Sequence, residues 1–391
     1  MREESVALRV FDRIREVLPE VSRRGDEIEK LRTLPDDLVA DLTAAGCFRM
    51  LVPHRYGGEE LTLAQSLELI EDLSRADAST GWVVMIACSN LMVLGLLPAA
   101  TFESVYAAGP DVILGGSHAP KGTAVPVDGG YRISGQWPFA SGCQHAAWLV
   151  GHAAVLRDGE RQFMANGMPL MRLAMMPASE VEVVDTWHTV GLRGTGSHDI
   201  RVSDVFCPEE RTCQLFGAVP TVAAPIFSIP PIAPLALFIA AVAVGCAQAA
   251  IDDLVAVVVG GKRPAYGARR VAESLLLQAR LGEADAELRA ARALIHDEAH
   301  KAWSKALAGQ EFSLLDRARM RTASSHAVTA ATTVADTAYR LAGSSSLYDG
   351  SVLQRRMRDI HAITQHAGVG PDFFSLAGAL LVGEEIDSMR I

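Results

Sequence analysis

The chain has 391 residues, 49% of them hydrophobic. That is enough apolar mass for two or three subdomains around a large core, and too much for a disordered polymer. A net charge of −10 argues against nucleic acid, whose phosphates ask for a basic face. The six cysteines include no C-x-x-C pair, so neither a zinc site nor a disulfide framework is expected, and no metal.

The first residues, MREESVALRVFDRIREVLPE, are charged and amphipathic and lack an apolar signal core, so the chain reads as cytoplasmic. Residues 1–110 form a first, helical domain, with apolar residues at three- and four-residue spacing. Pro35 with Asp36 and Asp37 suits a helix start and Gly46 a helix end. PHRYGGEELT is a turn or loop, and LAQSLELIEDLSRAD the next helix.

From 111 to 212 the grammar changes. DVILGGS, TAVPVDGGYRISGQW, AAWLVGHAAVL and HDIRVSDVFCP are short runs rich in Val, Ile and Trp and broken by Gly, Pro and Asp. These predict a central antiparallel β-domain, with a hairpin at VDGGY.

Residues 225–391 return to helix. Residues 232–251 are apolar enough to imitate a membrane span, but they contain Pro234 and lie between globular-looking neighbours. A buried helix is expected there, and no membrane. Four long helices with short connections, the last ending near residue 391, predict a four-helix bundle. Near its end RDIHAITQHAG places His361 and His366 about 140° apart on an ideal helix, so both cannot face one pocket.

Helices, then strands, then a bundle, with ISGQWPFASGC, VGLRGTGSHDIRVSDVFCPEE and RRMRDIHAITQHAG, resemble the acyl-CoA dehydrogenase fold over nearly the whole chain. The fold class implied is α+β. In dehydrogenases the last segment ends in a catalytic glutamate; here that position is Ala367. DASTGWVV, GGSHAPKGTAVPVDGGYRISG, PFASGCQHAAW, GLRGTGSHD and RDIHAITQH resemble instead the two-component, reduced-flavin hydroxylases of this fold. A dehydrogenase acting on an acyl thioester is the alternative, and it needs a carboxylate base from elsewhere.

The resemblance implies a monooxygenase that takes reduced flavin, FMN or FAD, from a separate reductase. It would react the flavin with O₂ to a flavin hydroperoxide and hydroxylate an aromatic or phenolic molecule. Ser141 is assigned the hydrogen bond near flavin N5, with Phe139 and Ala140 on the flavin face. The plainer reading of Ser141 is a turn hydroxyl. His366 is matched to a base for a phenol proton, its plainer reading being a core histidine. His361 is read as a packing or interface residue. Asn90 stands where related hydroxylases often carry a second histidine. Trp82 with Met85, Met92 and Leu94 forms a pocket wall or, equally, helix core.

Ser117 and Thr123 are candidates on a loop against the flavin ring, with His118 and Lys121 read as solvated. Arg263 is the candidate phosphate contact. Ser344, Ser345 and Ser346 in LAGSSSLYDG would meet a neighbouring subunit's flavin. A homotetramer, or at least a dimer, follows from that habit and from apolar helices such as AVTAATTVADTAYRLAG.

Overall fold

The computed structural model describes residues 2–216, 218–262 and 270–387. Six helices come first: α1 (Arg2–Arg23), α2 (Gly25–Leu31), α3 (Asp36–Ala45), α4 (Leu63–Ala76), α5 (Ala78–Leu94) and α6 (Ala99–Tyr106). Their ends are set locally. Gly46 closes α3 in the left-handed region, and Thr62 and Gln65 form a capping box at the start of α4. Asp77 caps α5 by accepting the Thr80 N–H at 2.8 Å. Nearly every residue of α5 is buried, so it runs through the core with no solvent face.

Eight strands follow: β1 (Leu114–Val127), β2 (Gly130–Trp137), β3 (Trp148–Arg157), β4 (Glu160–Arg161), β5 (Met171–Pro177), β6 (Glu182–Val184), β7 (Asp199–Pro208) and β8 (Thr212–Cys213). Their order is β6-β7-β2-β1-β3-β5-β8, with β4 beside β3. The Asp128–Gly129 turn joins β1 to β2 as the hairpin signal predicts. The expected all-antiparallel sheet is mixed, because β1 pairs with β3 in parallel. Residues 138–147 form a crossover between β2 and β3, which delivers β3 to the far side of β1. GSHAPKGTA is likewise strand rather than loop: β1 runs through it, with register shifts between Ser117 and Gly122. One face of the sheet packs around the fully buried Trp137; Leu114, Val150, Leu173 and Met175 on the other join the helical core.

The C-terminal helices are α7 (Pro225–Ser228), α8 (Ile232–Val259), α9 (Leu275–Leu307), α10 (Leu314–Ala342), α11 (Val352–Ile363) and α12 (Asp372–Leu381). Helix α8 is long and apolar enough to cross a membrane, yet its apolar window is 83% buried inside the fold, packed on α4, α5, α9, α10 and α11. The expected last helix is two helices. Between α11 and α12 the chain leaves helical geometry at His366 and makes a short 3₁₀ turn, Ala367–Val369. That break decides where His366 points.

Candidate active site

Three segments meet where α5, the sheet and the α11–α12 break converge. The 139–142 turn is held by backbone bonds from Ala140 N–H to His198 O and from Gly142 N–H to Thr195 O, both at 3.0 Å. A bridge ties Ser141 to Gly116 of β1. Ser141, Ala140 and Trp82 are buried, whereas Phe139 has a positive φ and is 66% exposed, edge-on to Trp187. Trp82 reaches across from α5, its Nε1–H donating to Ser141 Oγ at 3.0 Å. On its other side the Trp82 ring stands edge-on to His366, centroids 5.7 Å apart. Ser141, Trp82 and His366, far apart in sequence, are therefore neighbours.

The hydroxyls behind Ser141 form a chain: Ser141 Oγ to Ser197 Oγ at 2.7 Å, Ser197 Oγ to Thr195 Oγ1 at 2.6 Å, and Thr195 Oγ1 to the Leu192 carbonyl at 2.8 Å. The Leu192 turn is docked on α11, where Asp359 Oδ1 accepts the Leu192 N–H at 2.6 Å. A side chain at Gly191 would lie 2.1 Å from the Arg358 carbonyl oxygen, so glycine permits this docking. GLRGTGSHD and RDIH thus touch. Asp359 is buried, and burial first, then Asp77, pushes its carboxyl up to about 7.

His366 Nδ1 accepts the Gly368 N–H at 2.9 Å. A methyl at position 368 would lie 2.8 Å from that nitrogen, so glycine keeps the approach open. Burial, then the charge of Arg321, pulls the His366 pKa down to about 4, and the ring is neutral at pH 7. With its lone pair on Nδ1, the neutral ring carries its proton on Nε2. His361 lies outside this site: its Nε2 meets Asp336 at 2.9 Å at the surface.

Two further histidines were misjudged or missed in the sequence. His118 is not a solvated loop residue. It lies partly buried on β1, its Nε2–H donating to Asn90 Oδ1 at 3.1 Å, and burial, then His152 and His366, pull its pKa down to about 4. His152 on β3 is 5% exposed, and burial lowers its pKa. Its Nδ1–H donates to the His118 carbonyl at 3.2 Å, and its Nε2 has no partner. Alternation along β3 puts His152 on the same face as Val150, a signal that was available.

Asn90, Leu94, Leu114, Val150 and Met175 also line a cavity of about 10 Å³, too small for an aromatic ring. Met85 and Met92 are core, while Trp82 lines the site.

The other candidates scatter. Ser117 is buried on β1, its Oγ accepting the Ala119 N–H at 3.3 Å. Thr123 donates to the Ser134 carbonyl within the sheet, and Lys121 is exposed. Ser344, Ser345 and Ser346 lie in a 3₁₀ turn at the opposite end of α11 from His366. There Ser345 and Ser346 donate to carbonyls of their own turn, at Ala342 and Gly343, so this chain does not bring them to Ser141. Arg263 falls outside the described residues. No three described His, Cys, Asp or Glu side chains converge as metal donors.

Helical domain, mixed sheet and helical bundle, with the working residues on the break after α11, define the acyl-CoA dehydrogenase fold class. The acyl-CoA dehydrogenase N-terminal domain family matches residues 7–103 and its C-terminal domain family residues 237–371. The chain is 35% identical over 362 residues to indole-3-acetate monooxygenase of Pseudomonas putida, covering 93% of this chain and 90% of that one. It is 30% identical over 370 residues to the flavin-dependent monooxygenase oxygenase subunit HsaA of Rhodococcus jostii, covering 93% and 95%. The structure of XiaF from Streptomyces sp. with FADH2 and glycerol superposes with a TM-score of 0.90 at 27% identity, over 98% and 97% of the two chains. The chain belongs to the flavin-dependent monooxygenases built on this fold, as an oxygenase component. The exposed Ala367, where a dehydrogenase holds its glutamate, agrees.

Proposed function

We propose that this protein takes reduced FMN or FAD from a separate reductase in the cytoplasm and adds one oxygen atom of O₂ to a small aromatic molecule of the phenol or arylacetate class. The observation that carries this reading is the Trp82–Ser141 bond beside His366. It joins a hydroxyl to an aromatic wall, next to the solvent-facing ring of Phe139. That donor set fits a flavin: an exposed aromatic, a buried methyl at Ala140, and a hydroxyl oxygen with a lone pair to spare. When bound, the flavin supplies two electrons and the activation of O₂, the second oxygen atom leaving as water. Phe139, Ala140 and Ser141 would hold its ring, with Ser117 and Thr123 on the adjoining strand. Arg263, and Ser344 to Ser346 of a neighbouring subunit, remain candidates for its phosphate.

The protein's own contribution is polarity and dryness. The buried Trp82 and α5 exclude water from the reacting side. His366 was expected to be a base. With Nδ1 engaged by Gly368, its Nε2–H can only donate, so we assign it the role of a neutral donor that holds the substrate's polar atom or developing charge. Lone pairs able to accept a substrate proton belong to His118 Nδ1, because Asn90 Oδ1 takes the Nε2–H, and to the unpartnered His152 Nε2. Asn90 thus orients a histidine where related hydroxylases often carry one. A homotetramer is proposed too, supported by Leu347 and Tyr348 standing 69% and 74% exposed beside the serine turn. Light scattering tests it.

The function is tested by supplying enzymatically reduced FMN or FAD and ¹⁸O₂ with indole-3-acetate, resorcinol and simple phenols. A product heavier by one ¹⁸O atom is expected from at least one. Tight reduced-flavin binding with only hydrogen peroxide formed across the panel contradicts it.

A further inference from the structure

The hydroxyl chain has a direction. The Leu192 carbonyl can only accept, so the Thr195 hydroxyl proton is committed to it at 2.8 Å. Thr195 Oγ1 then accepts from Ser197 at 2.6 Å, and Ser197 Oγ accepts from Ser141 at 2.7 Å. The Trp82 Nε1–H fills one lone pair of Ser141 at 3.0 Å. Ser141 has given its proton away and keeps one lone pair. We propose that Thr195 and Ser197 are positioning residues that hold Ser141 as a hydrogen-bond acceptor and thereby select reduced over oxidised flavin. This rests on the reading that Ser141 faces flavin N5. Reduced flavin carries a hydrogen on N5 and can donate to Ser141. Oxidised N5 has only a lone pair and meets another lone pair. Reversing the chain to suit oxidised flavin breaks the Thr195–Leu192 bond. Leu192 O would still be served by Trp187 Nε1–H at 2.9 Å, so reversal costs one hydrogen bond and no more.

The test measures dissociation constants of oxidised and anaerobically reduced flavin, without turnover. Thr195→Val removes the anchor, and the preference for reduced flavin should narrow by about 2- to 12-fold, the worth of one hydrogen bond, chiefly through tighter oxidised-flavin binding. Thr195→Ser keeps the anchor and should retain the wild-type ratio. Equal ratios in Thr195→Val and wild type overturn the proposal, as does wild type with no preference. If Ser141→Ala leaves both affinities unchanged, the placement of Ser141 against flavin fails and the selection with it.

A second observation stands apart. Arg321 of α10 is 4% exposed and has no carboxylate partner among the described residues. Its Nη1–H donates to the Ile232 carbonyl at 3.3 Å, its guanidinium stacks 3.8 Å over the Phe373 ring, and its Nε has no partner. One turn on, Ser325 Oγ–H donates to the Gly370 carbonyl, so this face of α10 abuts the segment that carries His366. A buried cation without a counter-ion is costly, and a ligand can supply the missing charge. We infer that Arg321 receives a carboxylate on the aromatic substrate. Its depressed pKa, about 10 through burial, and its pull on His366 agree.

Binding of indole-3-acetate and of its neutral amide to the flavin-free protein tests this. Wild type should prefer the acid by roughly 10- to 100-fold, the scale of a hydrogen bond to a charged group. Arg321→Met, which keeps a flexible apolar stem on Phe373, should abolish the preference and leave amide binding intact. Arg321→Lys should retain part of it. No preference in wild type, or a preference that survives in Arg321→Met, overturns the inference. An oxygenase acting only on neutral aromatics would leave the proposed function standing and remove this subsite.

Discussion

Two buried polar regions lie along α11, and they differ in what their atoms are doing. At one end Arg356 donates from both Nη atoms to the Ala76 carbonyl at 3.3 Å and from Nε to Asp253 at 3.2 Å. Asp359 takes the Leu192 N–H, and Asp77 caps α5. These charges are bound to backbone and to one another, and they lock α5, α8, α11 and the 191–198 turn together. At the other end His366 presents an N–H, His152 a bare nitrogen and Arg321 an unpaired charge. Satisfied groups hold the fold; the open groups at His366, His152 and Arg321 are available to a ligand, although isolated unpartnered atoms such as Arg355 Nε and Ser74 Oγ also occur.

Substitutions at the two ends should therefore separate stability from turnover. The largest effect on turnover is expected at the open end. His366→Ala should slow oxygen transfer by roughly 10²–10³-fold, the usual cost of one preorganised donor, with little change in unfolding midpoint. Single-turnover product analysis beside urea unfolding checks both halves. At the closed end Arg356→Met should cost about 3 kcal/mol of stability, since it strands two partners of a buried cation. Oxygen transfer per folded molecule should hold. The unfolding midpoint should fall at unchanged slope.

Acid should sharpen the contrast. His118 and His366 are held near 4 in the fold against an ordinary value of 6.5. Between those values the unfolded chain binds two protons that the folded chain refuses, so stability falls as pH drops from about 6.5 towards 4. Asp359 works the other way: its raised pKa keeps a proton in the fold that the unfolded chain has lost above about 4. Burial also lowers His145, His152 and His198, so the protons refused outnumber the one retained and the net is an acid loss. Asp359→Asn removes the opposing proton and should steepen that limb by up to about 1.4 kcal/mol per pH unit. Urea midpoints at several pH values give the slopes.

Ser141→Ala should shorten the chain of hydroxyls without unfolding the turn, because the backbone bonds of 140 and 142 remain. Loss of one hydrogen bond should raise the peroxide formed per product by about 2- to 12-fold. Equal oxygen and product stoichiometry in the variant counts against its role. The smallest effect is expected at His361. It lies 47% exposed against Asp336, and His361→Ala should shift stability by less than about 1 kcal/mol and leave turnover alone.

Much of this was legible in the sequence, and the remainder follows a physical pattern. The three-part fold could be read because period 3.6 gave way to strand grammar near 111 and returned near 225. Ser141, Trp82 and His366 could be singled out as candidates from local motifs, and the fold brings them together. The parallel pairing of β1 with β3 could not, since it depends on where a crossover lands. His118 looked like loop because glycine and proline in GGSHAPKG mask the alternation that places it on β1. Thr195 and Ser197 were invisible because their role exists only once 195–198 pairs with 139–142. Arg321, in RARMRTASS, reads as one cation on a solvated face; only Phe373 and the α11–α12 break bury it. His361 and His366 do face apart, but not through the helix angle, since His366 lies beyond the end of α11.

The roles of His366 and His118 rest on which nitrogen of each imidazole bears its proton. Long-range ¹H–¹⁵N correlation spectra of histidine-labelled protein at pH 7, assigned with His118→Ala, His152→Ala and His366→Ala, read that directly. The expected result is a neutral Nε2–H ring at His366 and at His118, with the Nδ1–H form at His152. A His366 ring protonated on Nδ1, with a bare Nε2, would contradict the donor role and restore it as the base.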